Sequence, residues 1–451
     1  MLNFLMFVGT FCGGSLMAFI AHPAYAFMVY QLIYFFNPAT RWWAYMLPSL
    51  PYSLMSVLLM FVVFAKDFKQ HHNNKLFAPP QMKWFYLVTL CYTLTIFYAP
   101  NAVATKEGVI NFIKMLVILS VAYKLIDTLP KLNAVLTTYI VGASYVGFLA
   151  YQTGRNAAGR VEGIGTVDSP DSNGIAAAIV PTLVLSLYYF WFSKSWKLRA
   201  LICVSGAFVA NAIVLINSRG AFLAAIVSAA YFMFFMYFSK MQKRGQKWSA
   251  TALIILGLVA AVNVIDESAL DRFRSIKEEE QTTEQQTSKT RVYFWIAAVE
   301  VAFDYPFGQG IHGFDHHAPN YLPQHMDTGF SRNRSVHSTW FEALTEVGFH
   351  GFFFFLMMLY ACFASTRAVK KALLEDEDHQ GFFRIVAIEA AFVAFMVAMT
   401  FMNRFRAEIL YWCVLFTACA YNIHILQPKR IAEEEQKAAL KAERAAESAM
   451  A

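Results

Sequence analysis

The sequence His337-Ser-Thr-Trp-Phe-Glu-Ala-Leu-Thr-Glu-Val-Gly-Phe-His-Gly351 lies where a long polar segment gives way to apolar residues. That segment begins near Asp266 and is the only long polar interruption in an otherwise apolar chain. Beyond it, apolar residues continue to about Cys362, and a helix that crosses a bilayer needs roughly 20 such residues. We therefore predict a bundle of membrane-spanning helices with one long polar segment between two of them.

The overall composition indicates the same class. Of the 451 residues, 58% are hydrophobic and only 15% are charged, and the mean hydropathy is +0.43. These values lie outside the usual range for a soluble globular domain. All six cysteines fall in apolar runs, which argues against disulfides and against a cysteine metal site. The predicted fold class is an all-α polytopic membrane protein.

Thirteen apolar runs are candidate membrane spans. They cover residues 2–20, 24–36, 50–65, 84–99, 109–122, 134–151, 174–192, 200–217, 220–238, 250–265, 338–362, 385–401 and 409–425. The first two runs could instead form a shallow hairpin, so the expected number of spans is about 12 or 13. The predicted units are an N-terminal transmembrane bundle (1–265), a loop domain containing helices (266–337), C-terminal transmembrane helices (338–427) and a charged tail (428–451).

Basic residues are concentrated in alternate connections between these runs, and such connections remain on the cytoplasmic side of a membrane. The basic connections hold Lys66 to Lys83, Lys124 and Lys131, Lys194 to Arg199, Lys240 to Lys247, and Arg367 to Arg384. The alternation places the polar segment from Asp266 on the outer side, together with the N-terminus. The tail from Pro428 is predicted to be cytoplasmic.

Several outer connections contain arginine, against the charge bias that sets topology. Arg155 and Arg160 lie in one of them, and Arg404 and Arg406 lie in another. Arg219 stands at a span boundary, and Arg291 opens a predicted helix that ends before Pro306. A guanidinium binds phosphate through two parallel hydrogen bonds and keeps its charge at any working pH. These arginines therefore predict a site for an anionic lipid headgroup. The alternative is an interfacial anchor or, for Arg291, a solvent-exposed residue in the first turn.

His337 is the candidate general base. Thr339 and Glu342 form the pattern of a capping box, which predicts that a helix begins there. A histidine at a helix N-terminus feels the positive end of the dipole, so a basic nitrogen stays available near neutral pH. The alternative is a histidine that only ends a loop. Glu342 and Glu346, which are one helical turn apart, could orient His337 or anchor the helix, and we favour the anchor.

Lys114 lies within an apolar run, about two turns from its expected outer end. A cation inside a membrane is by default a candidate for function. Here it would be a further partner for phosphate. The alternative is a lysine whose side chain extends to the headgroups.

At these residues the sequence resembles the bacterial O-antigen ligase superfamily. The matching elements are Ser218-Arg-Gly-Ala at a helix start, Arg291 with Trp295, Asp304-Tyr-Pro-Phe-Gly-Gln-Gly-Ile-His-Gly-Phe, and the stretch from His337 to Gly351. Their order and spacing together are specific. Phe36-Asn-Pro, the Lys114 region, Gly159-Arg-Val-Glu-Gly and Asp171-Ser-Asn173 are similar to a subgroup described as O-glycosylation ligases associated with exosortase systems.

The resemblance implies a glycosyltransferase that needs neither a metal nor a cofactor. Enzymes of the superfamily move a glycan from an undecaprenyl-diphosphate carrier to lipid A core, protein or another glycan at the periplasmic face of the inner membrane. The implied partners are this donor, the acceptor and membrane lipids, with no nucleic acid. The polar insert 278–289 departs from the family pattern, which affects loop geometry and acceptor recognition.

The resemblance also implies a role for each candidate residue. His337 matches the catalytic histidine, and Arg219 and Arg291 match the pyrophosphate-binding arginines. Further candidates are Arg160 and Lys114 for pyrophosphate, with Asp171, Asn173 and Glu342 as supporting residues.

Two other functions are compatible with a membrane bundle. A Wzy-type polymerase differs from a ligase in that its acceptor is itself linked to lipid. A flippase or secondary transporter would need no transfer chemistry, and transporters tend to show inverted repeats with helices broken at the midplane. The sequence has no convincing internal repeat, and its candidate polar residues cluster at one face, which favours a transferase.

The topology can be tested with a reporter enzyme that is active only outside the cytoplasm. We expect alkaline phosphatase fused after Gln285 to be active, because basic connections flank the polar segment on both sides. The same enzyme fused after Lys371 should be inactive. An inactive fusion at Gln285 together with an active one at Lys371 would reverse the assignment.

Overall fold

The computed structural model describes residues 1–71, 74–157, 159–264, 288–324, 326 and 331–450. Most of the polar insert ahead of Arg291, and His325, lie outside the described residues. The described part contains α-helices and short 3-10 and π segments but no strand. The helices are α1 (Leu2–Ile20), α2 (Ala24–Phe36), α3 (Tyr52–Lys66), α4 (Phe68–His71), α5 (Pro80–Leu94), α6 (Ala102–Leu125), α7 (Leu129–Thr153), α8 (Ser172–Ile179), α9 (Pro181–Phe192), α10 (Trp196–Ile216), α11 (Arg219–Phe238), α12 (Gln246–Val264), α13 (Ser288–Asp304), α14 (Gly313–Tyr321), α15 (Thr339–Glu375), α16 (His379–Met399), α17 (Glu408–Tyr421) and α18 (Gln427–Met450).

Nine helices of the described part are long and apolar enough to cross a membrane. They are α1, α6, α7, α8 joined to α9, α10, α11, α15, α16, and α17 continued into α18. Each apolar run predicted from the sequence coincides with a helix, and α3 is a shorter apolar helix. The prediction of an all-α polytopic membrane protein is therefore confirmed.

The centre of the bundle is built from large apolar side chains on helices that are buried all round. Trp412 on α17 is fully buried, and its ring lies 5.0 Å from that of Tyr34 and 5.6 Å from that of Tyr139, measured between ring centroids. Edge-to-face pairs at such distances are favourable beyond the area that they bury. Helices α2, α7 and α17 are thereby fixed to one another, which places the loop before α17 at one end of the bundle.

Helix α15 is broken near its start at Gly348, whose φ is +70°. In an uninterrupted helix the N–H of Phe349 would donate to the carbonyl of Thr345. Instead, Phe349 N–H donates to the carbonyl of Pro306 at 3.0 Å, and the Thr345 carbonyl accepts from Gln309 N–H at 2.9 Å. The loop after α13 thus replaces the hydrogen bonds that the break removes, and it is locked onto α15.

A second, smaller hydrophobic core lies beside the bundle. It contains Phe294 and Val301 from α13, Phe314 from α14, and Val336 just before α15, all nearly fully buried. The ring of Trp295 also stacks on that of Phe341 of α15 at 5.5 Å. Helix α13 is therefore packed against α14 and the start of α15 by its own apolar face, which fixes the position of its first turn.

Gly348→Ala should destabilise the protein by about 1–3 kcal/mol, because a side chain at positive φ is strained. The added Cβ would also clash with the carbonyl oxygen of Pro306. We expect a lower Tm for the detergent-purified variant in a thermal unfolding scan. Gly13→Ala is the matched control, since a Cβ there meets nothing within 4 Å. An equal Tm for both variants would show that the loop is not held at this break.

Candidate active site

His337 stands at the turn between the polar segment and α15. Its backbone has φ +52°, a left-handed conformation that residues other than glycine rarely adopt and that recurs at functional sites. The imidazole Nε2 lies 3.5 Å from Ser335 Oγ, and the ring lies 6.4 Å from that of Phe294 on α13. The position of His337 therefore depends on α13 as well as on α15.

The imidazole of His337 is neutral near neutral pH, the state predicted from the sequence. Burial, the positive charge of Arg291 and a smaller contribution from Arg334 together lower its pKa from 6.5 to about 4. Asp315 and Asp171 act in the opposite direction. Burial, and not the helix dipole, is the main cause. These four charges come from separate segments, so the fold brings Arg291 and Asp171 into the electrostatic neighbourhood of His337.

Asp171 is tied to the site through Arg404. Its Oδ1 accepts from the N–H of Gly174 and caps α8 at 2.9 Å, and its Oδ2 pairs with Arg404 Nη2 at 2.6 Å. Arg404 also donates to the backbone carbonyl of Asp168 at 3.1 Å. The carboxylate that sequence reasoning placed as a supporting residue thus holds an arginine of the loop 400–407.

A buried ion cluster lies one and two turns below His337. Arg406 Nη1 pairs with Glu346 Oε1 at 2.5 Å, and Arg406 Nη2 lies 3.3 Å from Glu342 Oε1. Tyr92 OH donates to Glu346 Oε2 at 2.9 Å. The backbone N–H of His312 adds a fourth contact, to Glu346 Oε1 at 3.3 Å. Glu342 therefore anchors its helix, as favoured from the sequence, and makes no hydrogen bond to His337.

The predicted capping box is wrong, although the helix begins where it was expected, with Ser338 as its N-cap. Thr339 Oγ1 accepts from the N–H of Arg404 at 2.8 Å, and Glu342 Oε2 accepts from the N–H of Phe405 at 2.9 Å. Both side chains bind backbone groups of the loop 400–407 instead of the first turn of α15. That loop is buried against the helix start, so its N–H groups need acceptors there.

The other predicted site residues in the outer connections differ in whether their contacts bring them to the site. Arg219 is the first residue of α11, and the next residue, Gly220, packs against Phe401 at the start of the loop 400–407. Arg160 closes a turn with its backbone, and among the described residues its side chain forms no hydrogen bond or ion pair. The same holds for the side chain of Asn173 on α8. Arg219 thus borders the site, while Arg160 and Asn173 are not brought to it by any contact.

The helix that carries Lys114 is longer than predicted. Helix α6 begins at Ala102, ahead of the predicted run, because Asn101 caps it by accepting from the N–H of Ala104 at 3.1 Å. Lys114 is therefore in the middle of a 24-residue helix and not two turns from its end. It lines a cavity of about 860 Å³ together with Arg404 and Arg406, whereas His337 does not line it.

His317 of α14 holds the loop that follows α13. His317 Nε2 lies 3.1 Å from Gln309 Oε1, and its ring stacks on that of Tyr305 at 4.3 Å. In the part of the chain that the structure describes, no group of three or more histidine, cysteine, aspartate or glutamate side chains is arranged to hold a metal ion.

Sequence reasoning did not bring Arg404 and Arg406 together with Glu342 and Glu346. Both arginines were visible as a pair two positions apart in an outer connection, and Glu346 follows Glu342 by one helical turn. Carboxylates spaced by four residues share one face of a helix, which was the available signal. What the sequence did not show is that the connection before α17 lies against that face.

The fold and the site define an all-α polytopic membrane protein with a neutral histidine, several arginines and buried carboxylates gathered at one end of the bundle. Residues 204–356, about a third of the chain, match the family model described as O-antigen ligase. This stretch contains Arg219, Arg291 and His337, and the match confirms the resemblance to the O-antigen ligase superfamily. No curated protein matches the chain. The exosortase-associated subgroup stays a prediction.

The match to this family indicates the general type of reaction. A domain of this family implies a membrane enzyme of the ligase or polymerase type, which transfers glycosyl groups.

The charge environment of His337 can be tested without any substrate. Arg291→Ala should raise the pKa of His337 from about 4 towards its ordinary value of 6.5, because it removes a neighbouring positive charge. Nuclear magnetic resonance titration of histidine-labelled protein measures this pKa, with the His337 signal assigned from its absence in His337→Gln. Arg199→Ala, which removes an arginine from a predicted cytoplasmic connection, should leave the pKa unchanged. An unchanged pKa in Arg291→Ala would place Arg291 away from His337.

Proposed function

We propose that the protein transfers a glycan from an undecaprenyl-diphosphate carrier to an acceptor hydroxyl, at the periplasmic face of the inner membrane and without a metal ion. The observation that supports this most is a neutral, partly buried His337 under the influence of Arg291, within the stretch that matches the O-antigen ligase family. The acceptor is lipid A core, protein or another glycan.

The reaction needs one proton transfer and one displacement. A ring nitrogen of His337 takes the proton of the acceptor hydroxyl while its oxygen forms a bond to the anomeric carbon of the glycan. The bond between that carbon and the diphosphate oxygen breaks, and the electron pair leaves with the undecaprenyl diphosphate. Arg291 and Arg219 stabilise the negative charge of the leaving group. The proton on His337 is then released to water.

The low pKa of His337 suits a base that is switched on by its substrate. An imidazole with a pKa of about 4 is neutral at neutral pH but is a weak base, since general bases act best with a pKa near the working pH. A bound diphosphate adds negative charge beside Arg291 and so raises the pKa of His337. The acceptor proton is therefore abstracted most readily when the donor is in place.

The ion cluster of Arg406 has a positioning role in this scheme. Arg406 is held by Glu342 and Glu346, so its charge is already balanced by protein carboxylates. Arg291 is the arginine whose charge acts directly on His337. We therefore assign the leaving group to Arg291 and Arg219 and leave Arg406 to hold the start of α15.

A Wzy-type polymerase remains the nearest alternative, since it differs in the acceptor and not in the chemistry at His337. The loop ahead of Arg291 carries the polar insert 278–289, and that part of the chain is a candidate for acceptor recognition. Reaction products formed with different acceptors would separate the two activities.

His337→Gln should lower the transfer rate by about 100-fold to 10,000-fold, the usual contribution of a general base. Glutamine keeps a polar side chain but cannot accept a proton near neutral pH. The assay uses purified protein in nanodiscs with undecaprenyl-diphosphate glycan and an acceptor, and it measures donor binding and turnover separately. Donor binding should be retained.

The matched control is His316→Gln, which changes an exposed histidine of α14 and should turn over at the wild-type rate. Arg291→Ala provides the opposite pattern, because it should weaken donor binding as well as transfer. Near-normal turnover by His337→Gln would remove His337 as the base.

A further inference from the structure

A strongly basic surface lies at the end of the bundle opposite His337. Helix α11 begins with Arg219 beside the site and ends at Phe238, so the connections before α10 and after α11 are at the far end. These two connections and the helix turns that follow them carry the residues that we call the basic surface: Lys194, Lys197, Arg199, Lys240, Lys243, Arg244 and Lys247. Residues 172–265 contain no aspartate or glutamate, so neither connection supplies a charge that balances them.

The two connections are held side by side by His379, the first residue of α16. Its ring lies 5.4 Å from that of Phe192 at the end of α9, and its Nε2 lies 2.8 Å from Oε1 of Gln246 at the start of α12. Gln246 is buried and fixes the second connection, because its Nε2 donates to the carbonyl of Met236 at 2.9 Å. Arg199 fixes the first connection by donating to the carbonyl of the residue after α9 at 2.6 Å. The basic residues therefore belong to one surface on a fixed framework.

The charges of the basic surface lack protein counterions. Among the residues that the structure describes, no carboxylate lies at ion-pair distance from any of these seven side chains. Other basic residues at this end of the bundle are paired, as Lys131 is with Asp127 and Lys370 with Glu389, both at 2.6 Å.

An acidic segment, residues 375–378, precedes His379 and is partly engaged elsewhere. Glu375 lies 3.9 Å from Lys371, and Asp378 caps α16 by accepting from the N–H of Gly381 at 2.9 Å. The basic surface is thus left to a partner that brings its own negative charge.

Exposed aromatic side chains border the basic surface. Trp196 and Phe238 are 73% exposed and Trp248 is 82% exposed, and they stand at the ends of α10, α11 and α12. The same helices expose apolar side chains further along, such as Val204 and Leu256. Tryptophan at the end of an apolar helix is typical of the boundary between hydrocarbon and headgroups. The basic surface therefore lies at the level of the lipid headgroups.

We propose that the basic surface binds the phosphate headgroups of anionic glycerophospholipids in the leaflet farther from His337. The topology predicted from the sequence makes this the inner leaflet. Each lysine or arginine near an anionic membrane surface adds to the attraction, whereas a zwitterionic headgroup brings a positive charge of its own. Helix α12 packs mainly on α11 in the described residues, so lipids bound at its first turn hold it to the bundle.

The test measures lipid retention by native mass spectrometry of the detergent-purified protein. Wild-type protein should retain phosphatidylglycerol in preference to phosphatidylcholine. The double variant Lys240→Gln with Lys243→Gln should bind phosphatidylglycerol at least about tenfold more weakly, since each basic residue contributes several-fold.

The matched control is Lys75→Gln with Lys83→Gln, which removes two exposed lysines from another predicted cytoplasmic connection. It should bind phosphatidylglycerol as the wild type does. An equal loss in both double variants would show that binding reflects overall charge and not this surface, and would overturn the proposal.

Two further arms distinguish other occupants. Glycerol phosphate carries the same anionic group without acyl chains and should not displace phosphatidylglycerol at equal concentration; displacement would mean that the surface takes a soluble phosphate. A dimer in the wild-type spectra that is lost in Lys240→Gln with Lys243→Gln would mean that a second copy of the chain occupies the surface. Either result would contradict a lipid site.

Thermal unfolding in nanodiscs checks the consequence for the fold. The wild type should have a higher Tm in phosphatidylglycerol than in phosphatidylcholine, and the variant Lys240→Gln with Lys243→Gln should lose most of that difference. An equal Tm of the wild type in the two lipids would contradict the proposed stabilisation by bound headgroups.

Discussion

The ion pair between Arg406 and Glu346 joins the parts of the molecule on which the site depends. It links the loop before α17 to α15, and Tyr92 of α5 and the backbone of His312 bind the same carboxylate. Removing one partner of a buried pair costs about 3–5 kcal/mol, because the other charge is left without compensation. Four segments far apart in the sequence are therefore held at one point, directly below His337.

This arrangement explains why the catalytic candidate lies on a backbone turn in an unfavourable conformation. His337 has a positive φ, a strain that persists only where surrounding contacts fix the chain. Thr339 and Glu342 provide such contacts after it, and Phe294 provides one from α13. The histidine is thereby kept in a partly buried place beside Arg291, where it is neutral but sensitive to any anionic group that enters.

Much of the fold could be predicted from hydropathy, because the length of an apolar run is set by the thickness of a bilayer. The helix that carries Arg291 and the start of α15 were also predicted, since both have a clear local pattern. The role of Thr339 and Glu342 was not predicted, because a capping pattern considers only neighbouring residues. Their side-chain oxygens instead accept hydrogen bonds from backbone N–H groups of the loop 400–407, some 60 residues away. The start of α6 was predicted too late, because its first turns, which contain Lys106 and Glu107, do not continue the apolar run that holds Lys114. Arg404 and Arg406 were recognised as outer arginines, but only the fold shows that carboxylates hold them.

The central claim is that the protein consumes a lipid-linked glycan at the outer face of the inner membrane. The most direct measurement is the leaflet in which undecaprenyl-diphosphate glycan accumulates when the gene is deleted, determined with a membrane-impermeant glycan-binding probe on spheroplasts. The account predicts accumulation on the outer leaflet, accessible to the probe. Accumulation on the inner leaflet alone would contradict it, because that result is expected from loss of a flippase.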